Sequence, residues 1–176
     1  GLANLNEIKL AVNTLRKNGN NKILILQCVA SYPSPLEEQH LIKIQEIKKK
    51  FKCLSGLSDH TVDNLAPIIS VSLGASIIEK HFNLDDRIKT VDSFFALSAK
   101  KFSKMVNDIR KVEKTIGNPN FELSKSSKKN LNSKRSIYIS KDIKNGEILS
   151  KENIKVIRPS FGLHPKYYKF LIGKKV

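Results

Sequence analysis

Apolar residues in the first thirty positions follow two different patterns. From Asn4 to Lys17 they recur every three to four residues, which predicts an amphipathic helix, and Asn4 with Glu7 three positions later is the signature of a capping box. The next segment, Lys22–Ala30, is almost continuously apolar and too short for a typical helix. This run is typical of a strand that is buried on both faces.

The alternation of helical spacing and short apolar runs continues as far as Gly117. The predicted elements are, in order, a helix over Leu36–Phe51, a strand over Cys53–Ser58, a helix over Val62–Leu73, a strand over Ala75–Phe82 and a long amphipathic helix over Ala99–Ile116. A loop that runs through Asp92 precedes the last helix. Buried strands that alternate with covering helices indicate parallel βαβ units with right-handed crossovers, so the predicted fold class is α/β.

The composition changes after the last of these helices. Residues 118–134 are rich in Asn, Ser and Lys, which is typical of a linker. Beyond it, Ser136–Ser140 alternates like a strand, Asn145-Gly146 is a tight-turn signal, and Ile154–Ile157 is a second short strand. The predicted organisation is an α/β part over 1–117, the linker over 118–134 and a small β-rich domain over 135–176.

Length and composition indicate a soluble, folded protein. A chain of 176 residues with 40% hydrophobic content can form a core of its own. No run approaches the roughly 18 apolar residues of a membrane span, and the beginning of the chain lacks the pattern of a secretory signal. The expected location is the cytoplasm, without a membrane partner. Cys28 and Cys53 lack the CxxC spacing of a zinc or redox motif, so we expect two reduced thiols.

The formal net charge of +16 is concentrated towards the end of the chain. Residues 1–100 hold 13 Lys and Arg against 10 Asp and Glu, whereas residues 101–176 hold 19 against 6. A basic surface attracts nucleic acids without specificity, but few aromatic residues for base stacking and few arginines for base reading accompany these lysines. The pattern favours a solvated surface, with attraction of an anionic substrate as the alternative, and argues against nucleic-acid binding.

Two histidines follow neighbouring strands of the predicted sheet. His60 comes after the second strand, and His81 lies at the carboxyl end of the third. Consecutive strands of parallel βαβ units are usually neighbours about 5 Å apart, so the two imidazoles can converge on one point. Oxygen donors lie near them in the sequence, at Asp59, Glu79 and Asp92. This set favours a divalent ion such as Mn²⁺ over a structural zinc, although two hydrogen-bonded structural histidines would show the same spacing.

Several strings of residues around these histidines resemble a known family. Gly56–Thr61 reads GLSDHT, Glu79–Phe82 reads EKHF, and Cys28-Val29 leads into Ser31–Pro33. In their order and spacing they resemble the motifs of the bacterial sialic acid synthase family. Arg158-Pro159, with the flanking strings SIYISKDIKNGEIL and LIGKK, is similar to the antifreeze-like (SAF) domain of the same family. The resemblance extends over essentially the whole chain.

The resemblance implies a fold and a reaction. The fold is a (β/α)₈ TIM barrel, of which this chain would hold the last three βα units, followed by an incomplete, β-rich SAF-like domain. The reaction condenses phosphoenolpyruvate with an open-chain amino-sugar aldehyde, consumes water, and yields a nine-carbon 2-keto acid and phosphate. A Mn²⁺ or Mg²⁺ ion acts in that family as a Lewis acid on the aldehyde, and the motifs assign its ligands to His60 and His81.

The same resemblance assigns roles to further residues. Ser58 would contact the phosphate of phosphoenolpyruvate, and Ser31 and Tyr32 would contact the substrate. Glu79 and Asp92 would be catalytic acidic residues around the sugar. Arg158 would reach across a domain-swapped homodimer to the sugar in the partner's site. Each of these residue types also has an ordinary structural use. In that case Ser58 would cap the following helix, Glu79 would pair with a lysine, and Arg158 would be a surface charge. Lys80 is expected inside the barrel or behind the residues that touch the substrate.

Two segments narrow the resemblance to one branch of the family. Thr90–Leu97 reads TVDSFFAL and Gly162–Tyr167 reads GLHPKY, and both are similar to the pseudaminic acid synthase branch. That branch implies a 2,4-diacetamido-2,4,6-trideoxy hexose as the sugar substrate. Synthesis of N-acetylneuraminate or legionaminic acid is the alternative within the family. A non-catalytic protein that binds carbohydrate or an acidic partner through its SAF-like module is the alternative outside it.

The chain departs from the family pattern in three places. Gln27 and Ala30 replace a histidine and a Ser or Asn, so a hydrogen bond to substrate would be missing or supplied by Ser31. Gly1–Ala3 resembles the end of the motif after the fifth barrel strand, and Gly173–Val176 resembles the middle of the SAF domain. We therefore expect a fragment of a longer gene product, with one half of a split gene or a degraded pseudogene as the alternatives. Such a chain would lack the lysines for phosphoenolpyruvate and leave sheet edges open. Such a chain should be inactive alone, and robust phosphate release by the purified polypeptide would overturn that.

Overall fold

Two compact units make up the chain, Gly1–Asn118 and Pro119–Val176, and each is described by itself. The computed structural model describes residues 1–85, 87 and 89–176. The finer division predicted from composition, with a linker over 118–134, stays a prediction. Across the described ranges, no helix is both long enough and apolar enough to cross a membrane.

The first unit consists of short parallel strands with covering helices. Its elements are, in chain order, α1 (Leu5–Lys17), β1 (Leu24–Cys28), α2 (Lys43–Phe51), β2 (Leu54–Asp59), α3 (Leu65–Ser72), β3 (Ile78–Lys80), β4 (Phe82–Asn83), β5 (Leu97–Ser98) and α4 (Ala99–Ile116). β1, β2 and β3 form one parallel sheet in that order, and β4 pairs in parallel with β5. The predicted α/β class with parallel strands is confirmed.

The first helix begins where the sequence predicts. Asn4 Oδ1 accepts hydrogen bonds from the backbone N–H groups of Asn6 and Glu7 at 2.9 and 3.1 Å. Glu7 Oε2 in return accepts one from the Asn4 N–H at 2.7 Å. These reciprocal bonds form the predicted capping box, and they satisfy N–H groups that the first turn of a helix cannot pair internally.

Two predicted elements differ clearly from the structure in length or position, and one observed strand is not predicted. The helix predicted over Leu36–Phe51 begins as a 3₁₀ turn and becomes α-helical only at Lys43, because His40 adopts a φ of 43° and interrupts the helical backbone. The strand predicted over Ala75–Phe82 is shorter and is divided at His81 into β3 and β4. The pattern does not predict β5, since two residues are too few to show a period.

The carboxyl ends of β2 and β3 lie side by side. In their parallel register, Ser58 stands opposite Glu79, and Asp59 stands opposite Lys80. Successive side chains of a strand point to opposite faces, so Ser58 and Glu79 share one face while Asp59 and Lys80 share the other. The residues that directly follow the two strands are therefore brought to the same edge of the sheet.

Apolar residues on the helix-covered face of the sheet form the core of the first unit. Ile44 of α2, Leu57 of β2 and Ala66 of α3 are buried against one another. A second buried cluster joins β5 to α4. Because Leu57 precedes Asp59 by two residues, the alternation along β2 places Asp59 on this helix-covered face as well.

One edge of the parallel sheet is open. In the part of the chain that the structure describes, β1 pairs only with β2. An apolar groove of about 840 Å³ runs along this edge between α1, β1 and α2.

Gly56 allows β2 and β3 to approach each other closely. A Cβ atom at this position would overlap the Ile77 carbonyl and press on the Leu26 side chain. The Leu57 N–H donates to the same carbonyl at 3.0 Å, so the sheet holds that backbone in place. We expect Gly56→Ala to lower the free energy of unfolding by about 1–3 kcal/mol, measured by urea denaturation. An alanine at the exposed Ser72 is the control, and an equal loss there would contradict the explanation.

The second unit is built around an antiparallel strand pair. Its elements are α5 (Lys125–Lys128), β6 (Ser136–Ile139), β7 (Ile154–Ile157) and α6 (Tyr168–Leu171), with 3₁₀ turns at Leu131–Ser133 and Pro165–Tyr167. β6 pairs with β7, and both match predicted strands. Gly146 adopts a φ of 86° in the predicted turn, a conformation that glycine adopts without strain.

Candidate metal and substrate site

Four rings from separate parts of the first unit meet at the carboxyl ends of the strands. Tyr32 follows β1, His60 follows β2, His81 lies between β3 and β4, and Phe95 precedes β5. The ring centroids of His60 and His81 are 5.2 Å apart. Tyr32 lies 4.2 Å from His60, and Phe95 lies 4.7 Å from His81. The structure thus brings together the two histidines that the sequence singles out as metal ligands.

The His60 ring is held from its Nδ1 side. Nδ1 lies 2.9 Å from the Val29 carbonyl oxygen, with Cys28 Sγ 3.9 Å away. A carbonyl oxygen can only accept a hydrogen bond, so Nδ1 carries the proton, and in a neutral imidazole the lone pair of Nε2 is free. His60 is 5% exposed, which means that surrounding atoms fix the plane of its ring. The end of β2 therefore presents an oriented Nε2.

A carboxylate orients His81 in the same way. Nδ1 of His81 lies 3.3 Å from Asp92 Oδ2. A carboxylate on one imidazole nitrogen favours the tautomer whose other nitrogen can bind a metal, and this pairing is common behind metal-bound histidines. Asp92, which is predicted to act at the sugar, thus lies against a predicted metal ligand. Both imidazoles have their Nδ1 side engaged with an oxygen atom.

Ser58 and Glu79 are joined across the two strands. The Ser58 hydroxyl donates to Glu79 Oε1 at 2.7 Å. The serine is not the cap of α3, because the N-cap position of that helix is Asn64. A cavity of about 250 Å³ is lined by Ser58, Glu79, His60 and His81, together with Asp59 and Lys80. The residues predicted to contact phosphate and sugar therefore share one small cavity with the histidines.

A buried ion pair lies on the opposite face of the same two strands. Lys80 Nζ is 2.5 Å from Asp59 Oδ2 and 2.6 Å from the Thr61 carbonyl oxygen. The Thr61 N–H and hydroxyl both donate to the Asp59 carboxylate at 3.0 Å. The side chains of Lys80 and Asp59 are at most 1% exposed. The place of Asp59 in the sequence suggests an oxygen donor beside the histidines. The structure differs, because the alternation along β2 turns the Asp59 side chain towards the helices.

Polar contacts fasten the loop that carries Tyr32. The Ser34 N–H donates to the His60 carbonyl at 3.0 Å, and Gln39 Nε2 donates to Ser34 Oγ at 2.8 Å. Gln27 Nε2 donates to the Gln39 carbonyl at 3.1 Å. Gln27, one of the departures from the family pattern, therefore holds this loop in place from β1.

Ser31 and Arg158 are also predicted to contact substrate. The Ser31 hydroxyl donates to the Pro33 carbonyl at 2.9 Å, within its own turn. Arg158 belongs to the second unit, where it directly follows β7 and is exposed. The roles of Ser31 and Arg158 at the substrate stay predictions.

Phe95 is a site residue that the sequence analysis does not identify. Its side chain is 1% exposed and packs between His81 and Phe94, whose ring is 5.1 Å away. Phe94, by contrast, is 62% exposed. The apolar segment that contains both rings is the signal in the sequence, but the sequence does not indicate which ring turns inwards.

The donor set fits a divalent ion that also binds substrate. Among residues 1–85, 87 and 89–176, no group of three or more His, Cys, Asp or Glu side chains forms a complete metal site. Two rings that share one ion have centroids within about 6.5 Å, because each ligating nitrogen lies about 2.1 Å from the ion. The 5.2 Å between His60 and His81 satisfies this limit. Two imidazole ligands leave coordination positions for water and substrate oxygens, which Mn²⁺ and Mg²⁺ accept.

The first unit has parallel strands with covering helices, and its polar groups gather where those strands end. These features define it as part of an α/β barrel with its functional edge on the carboxyl side. Sequence comparison agrees with this class. The chain belongs to the NeuB family, whose family model matches residues 1–121, and the model of the SAF domain matches residues 134–176. The predicted sialic acid synthase family, partial TIM barrel and SAF-like domain are confirmed.

Known proteins similar to this chain include synthases of three related sugar acids. The chain is 43% identical over 175 residues to the pseudaminic acid synthase of Campylobacter jejuni, a match that spans 99% of this chain and 51% of that protein. It is 38% identical over 177 residues to the N,N'-diacetyllegionaminic acid synthase of the same organism, spanning 99% and 53%. The crystal structure of N-acetylneuraminic acid synthetase from Leptospira borgpetersenii has a TM-score of 0.68 and 30% identity, and the match covers 74% of this chain and 46% of that one. The chain spans about half the length of the curated relatives it matches.

Proposed function

We propose that this chain forms the metal-binding side of a synthase that condenses phosphoenolpyruvate with an amino-sugar aldehyde. The new carbon–carbon bond joins the methylene carbon of phosphoenolpyruvate to the aldehyde carbon, water is consumed, and inorganic phosphate leaves. Membership of the NeuB family supports this reaction class, since relatives are named as synthases of pseudaminic and legionaminic acid.

The observation that carries the proposal is the pair of oriented imidazoles. His60 and His81 each engage Nδ1 with an oxygen, of Val29 and Asp92 respectively, at the same edge of the sheet. Both Nε2 atoms are thereby left for a shared divalent ion, Mn²⁺ or Mg²⁺. A bound ion of this kind would polarise the aldehyde oxygen of the sugar.

Ser58 and Glu79 would bind substrate on the same face as the histidines. If the Ser58 hydroxyl turns from Glu79 Oε1, it can donate to a phosphate oxygen, and the freed Glu79 carboxylate can accept hydrogen bonds from sugar hydroxyl groups. Their position in one cavity with His60 and His81 supports both roles. Asp92 would keep the His81 ring in its tautomer and orientation, while its own contact with the sugar stays a prediction.

We propose a 2,4-diacetamido-2,4,6-trideoxy hexose as the sugar. The identity of 43% to the Campylobacter jejuni pseudaminic acid synthase, against 38% to the legionaminic acid synthase of that organism, supports this choice. The segment Thr90–Leu97, which resembles the pseudaminic branch, contributes both Asp92 and Phe95 to the site. The alternatives are the neuraminate precursor and the stereoisomer of this hexose that leads to legionaminate, and an assay with all of these sugars separates them.

The SAF domain would complete the site from a second copy of the protein. The match of the SAF model to residues 134–176 supports a homodimer with exchanged domains, in which Arg158 contacts the sugar bound by the partner. The exposed position of Arg158 after β7 leaves its guanidinium accessible for that contact. We also propose a cytoplasmic location for the protein.

Turnover by an assembled barrel tests the proposed function. The chain is co-expressed with the part of the Campylobacter jejuni relative that it does not match, and phosphate release from phosphoenolpyruvate is measured with each candidate sugar. We expect release to require Mn²⁺ or Mg²⁺ and kcat/KM to be at least about tenfold higher for the 2,4-diacetamido-2,4,6-trideoxy hexose than for N-acetylmannosamine. The same complex treated with a chelator is the control. Release that is independent of divalent ions, or an assembled complex without turnover, would contradict the proposal.

A further inference from the structure

We infer that the buried Lys80–Asp59 ion pair positions the two histidines, and that metal binding by His60 and His81 depends on it. This inference rests on the proposed metal site and adds two residues that are not among its proposed ligands. Asp59 is the last residue of β2 and directly precedes His60, and Lys80 is the last residue of β3 and directly precedes His81. The ion pair therefore connects the last residues of the two strands that carry the rings.

Hydrogen bonds hold the backbone on both sides of His60. Lys80 Nζ donates to Asp59 Oδ2 and to the Thr61 carbonyl, at 2.5 and 2.6 Å. The Thr61 N–H and hydroxyl return two hydrogen bonds to the Asp59 carboxylate. His60 is thus the middle residue of a closed set of contacts that is anchored on the residue before His81. Such a set fixes how far apart the two imidazoles stand.

Strand stability alone does not explain a charged pair at this depth. Taking two charges out of water costs about as much as their attraction returns, so apolar residues of similar volume stabilise a fold equally well. The preceding pair on the same face is apolar, with Leu57 opposite Ile78. The change from apolar to charged residues occurs at the last register position before the two histidines, whose ring centroids lie 5.2 Å apart.

Cobalt(II) binding to the intact 176-residue chain tests the inference, because the visible absorption of Co²⁺ reports both its affinity and the geometry of its ligands. Asp59→Leu/Lys80→Met replaces the pair by apolar side chains of similar size, a change that buried pairs tolerate in other folds. We expect Co²⁺ to bind this variant about 10–100-fold more weakly and with altered absorption bands. Lys104→Met/Asp108→Asn removes an exposed ion pair of α4 and is the matched control, with binding like the wild type.

Each outcome separates this inference from the proposed function. A wild-type chain that binds no Co²⁺, or binds it equally after His60→Ala, would remove the metal site and the inference together. Histidine-dependent binding that Asp59→Leu/Lys80→Met leaves within about twofold, with unchanged bands, would overturn the inference and leave the proposed function standing. A double variant that does not fold would also overturn it, because the pair would then serve the fold instead of the histidines.

Discussion

Replacing His60 or His81 by alanine should abolish divalent-metal binding by this chain and leave its secondary structure intact. Each imidazole would supply one of the two nitrogen ligands. Changes behind a metal ligand commonly weaken binding 10–100-fold, so the loss of a ligand itself should cost more than about 100-fold in affinity. Calorimetric titration with Mn²⁺ measures the affinity, and far-UV circular dichroism checks that the variants fold.

The other two histidines offer a matched control for this experiment. The chain contains four histidines, and His40 and His164 are exposed. The variant His40→Ala/His164→Ala should bind Mn²⁺ with the affinity of the wild type. Equal weakening in this control, or undiminished binding in His60→Ala, would show that the ring cluster is not the metal site.

Replacing Phe95 by alanine should lower the free energy of unfolding by about 3–5 kcal/mol, the usual cost of removing a buried phenyl ring. The ring is 1% exposed and lies 4.7 Å from His81 and 5.8 Å from Tyr32. Its removal leaves a cavity beside the His81 imidazole, so Mn²⁺ affinity should fall as well. Urea denaturation followed by circular dichroism gives the stability, and calorimetric titration gives the affinity.

Phe94→Ala is the matched control, since it removes the same ring from the neighbouring position. Phe94 is 62% exposed, and exposed positions usually contribute within about 0.5 kcal/mol. We therefore expect little change in stability and none in Mn²⁺ affinity. A larger loss of stability for Phe94→Ala than for Phe95→Ala would mean that the two rings exchange places in solution.

The convergence of His60 and His81 could be predicted from the sequence because it follows from backbone periodicity. Alternating helices and strands indicate a parallel sheet, and parallel strands bring their carboxyl ends to one edge. The capping box at Asn4 is equally local, since it needs only Asn4 and Glu7 in the right spacing. Structural features that depend only on one helix or strand and the element next to it can therefore be predicted from the sequence.

The atoms that orient the two rings could not be predicted in the same way. The Val29 carbonyl and the buried ring of Phe95 approach the histidines from loops. The conformation of a loop cannot be predicted from the periodic spacing of apolar residues. The positive φ of His40, which delays the start of α2, is likewise a property of one residue that apolar spacing does not reveal. Lys80 is a related case, because its place behind the substrate residues is expected from the sequence, but its partner Asp59 is identified only by the strand register.

Anomalous X-ray diffraction at the manganese absorption edge, from crystals of this chain grown with Mn²⁺, tests the two-histidine site most directly. We predict one manganese peak within about 2.3 Å of Nε2 of both His60 and His81, with the two Nδ1 atoms still turned to the Val29 carbonyl and the Asp92 carboxylate. A peak bound to only one of the two rings, a peak elsewhere in the chain, or no peak at saturating Mn²⁺ would contradict the proposed metal site.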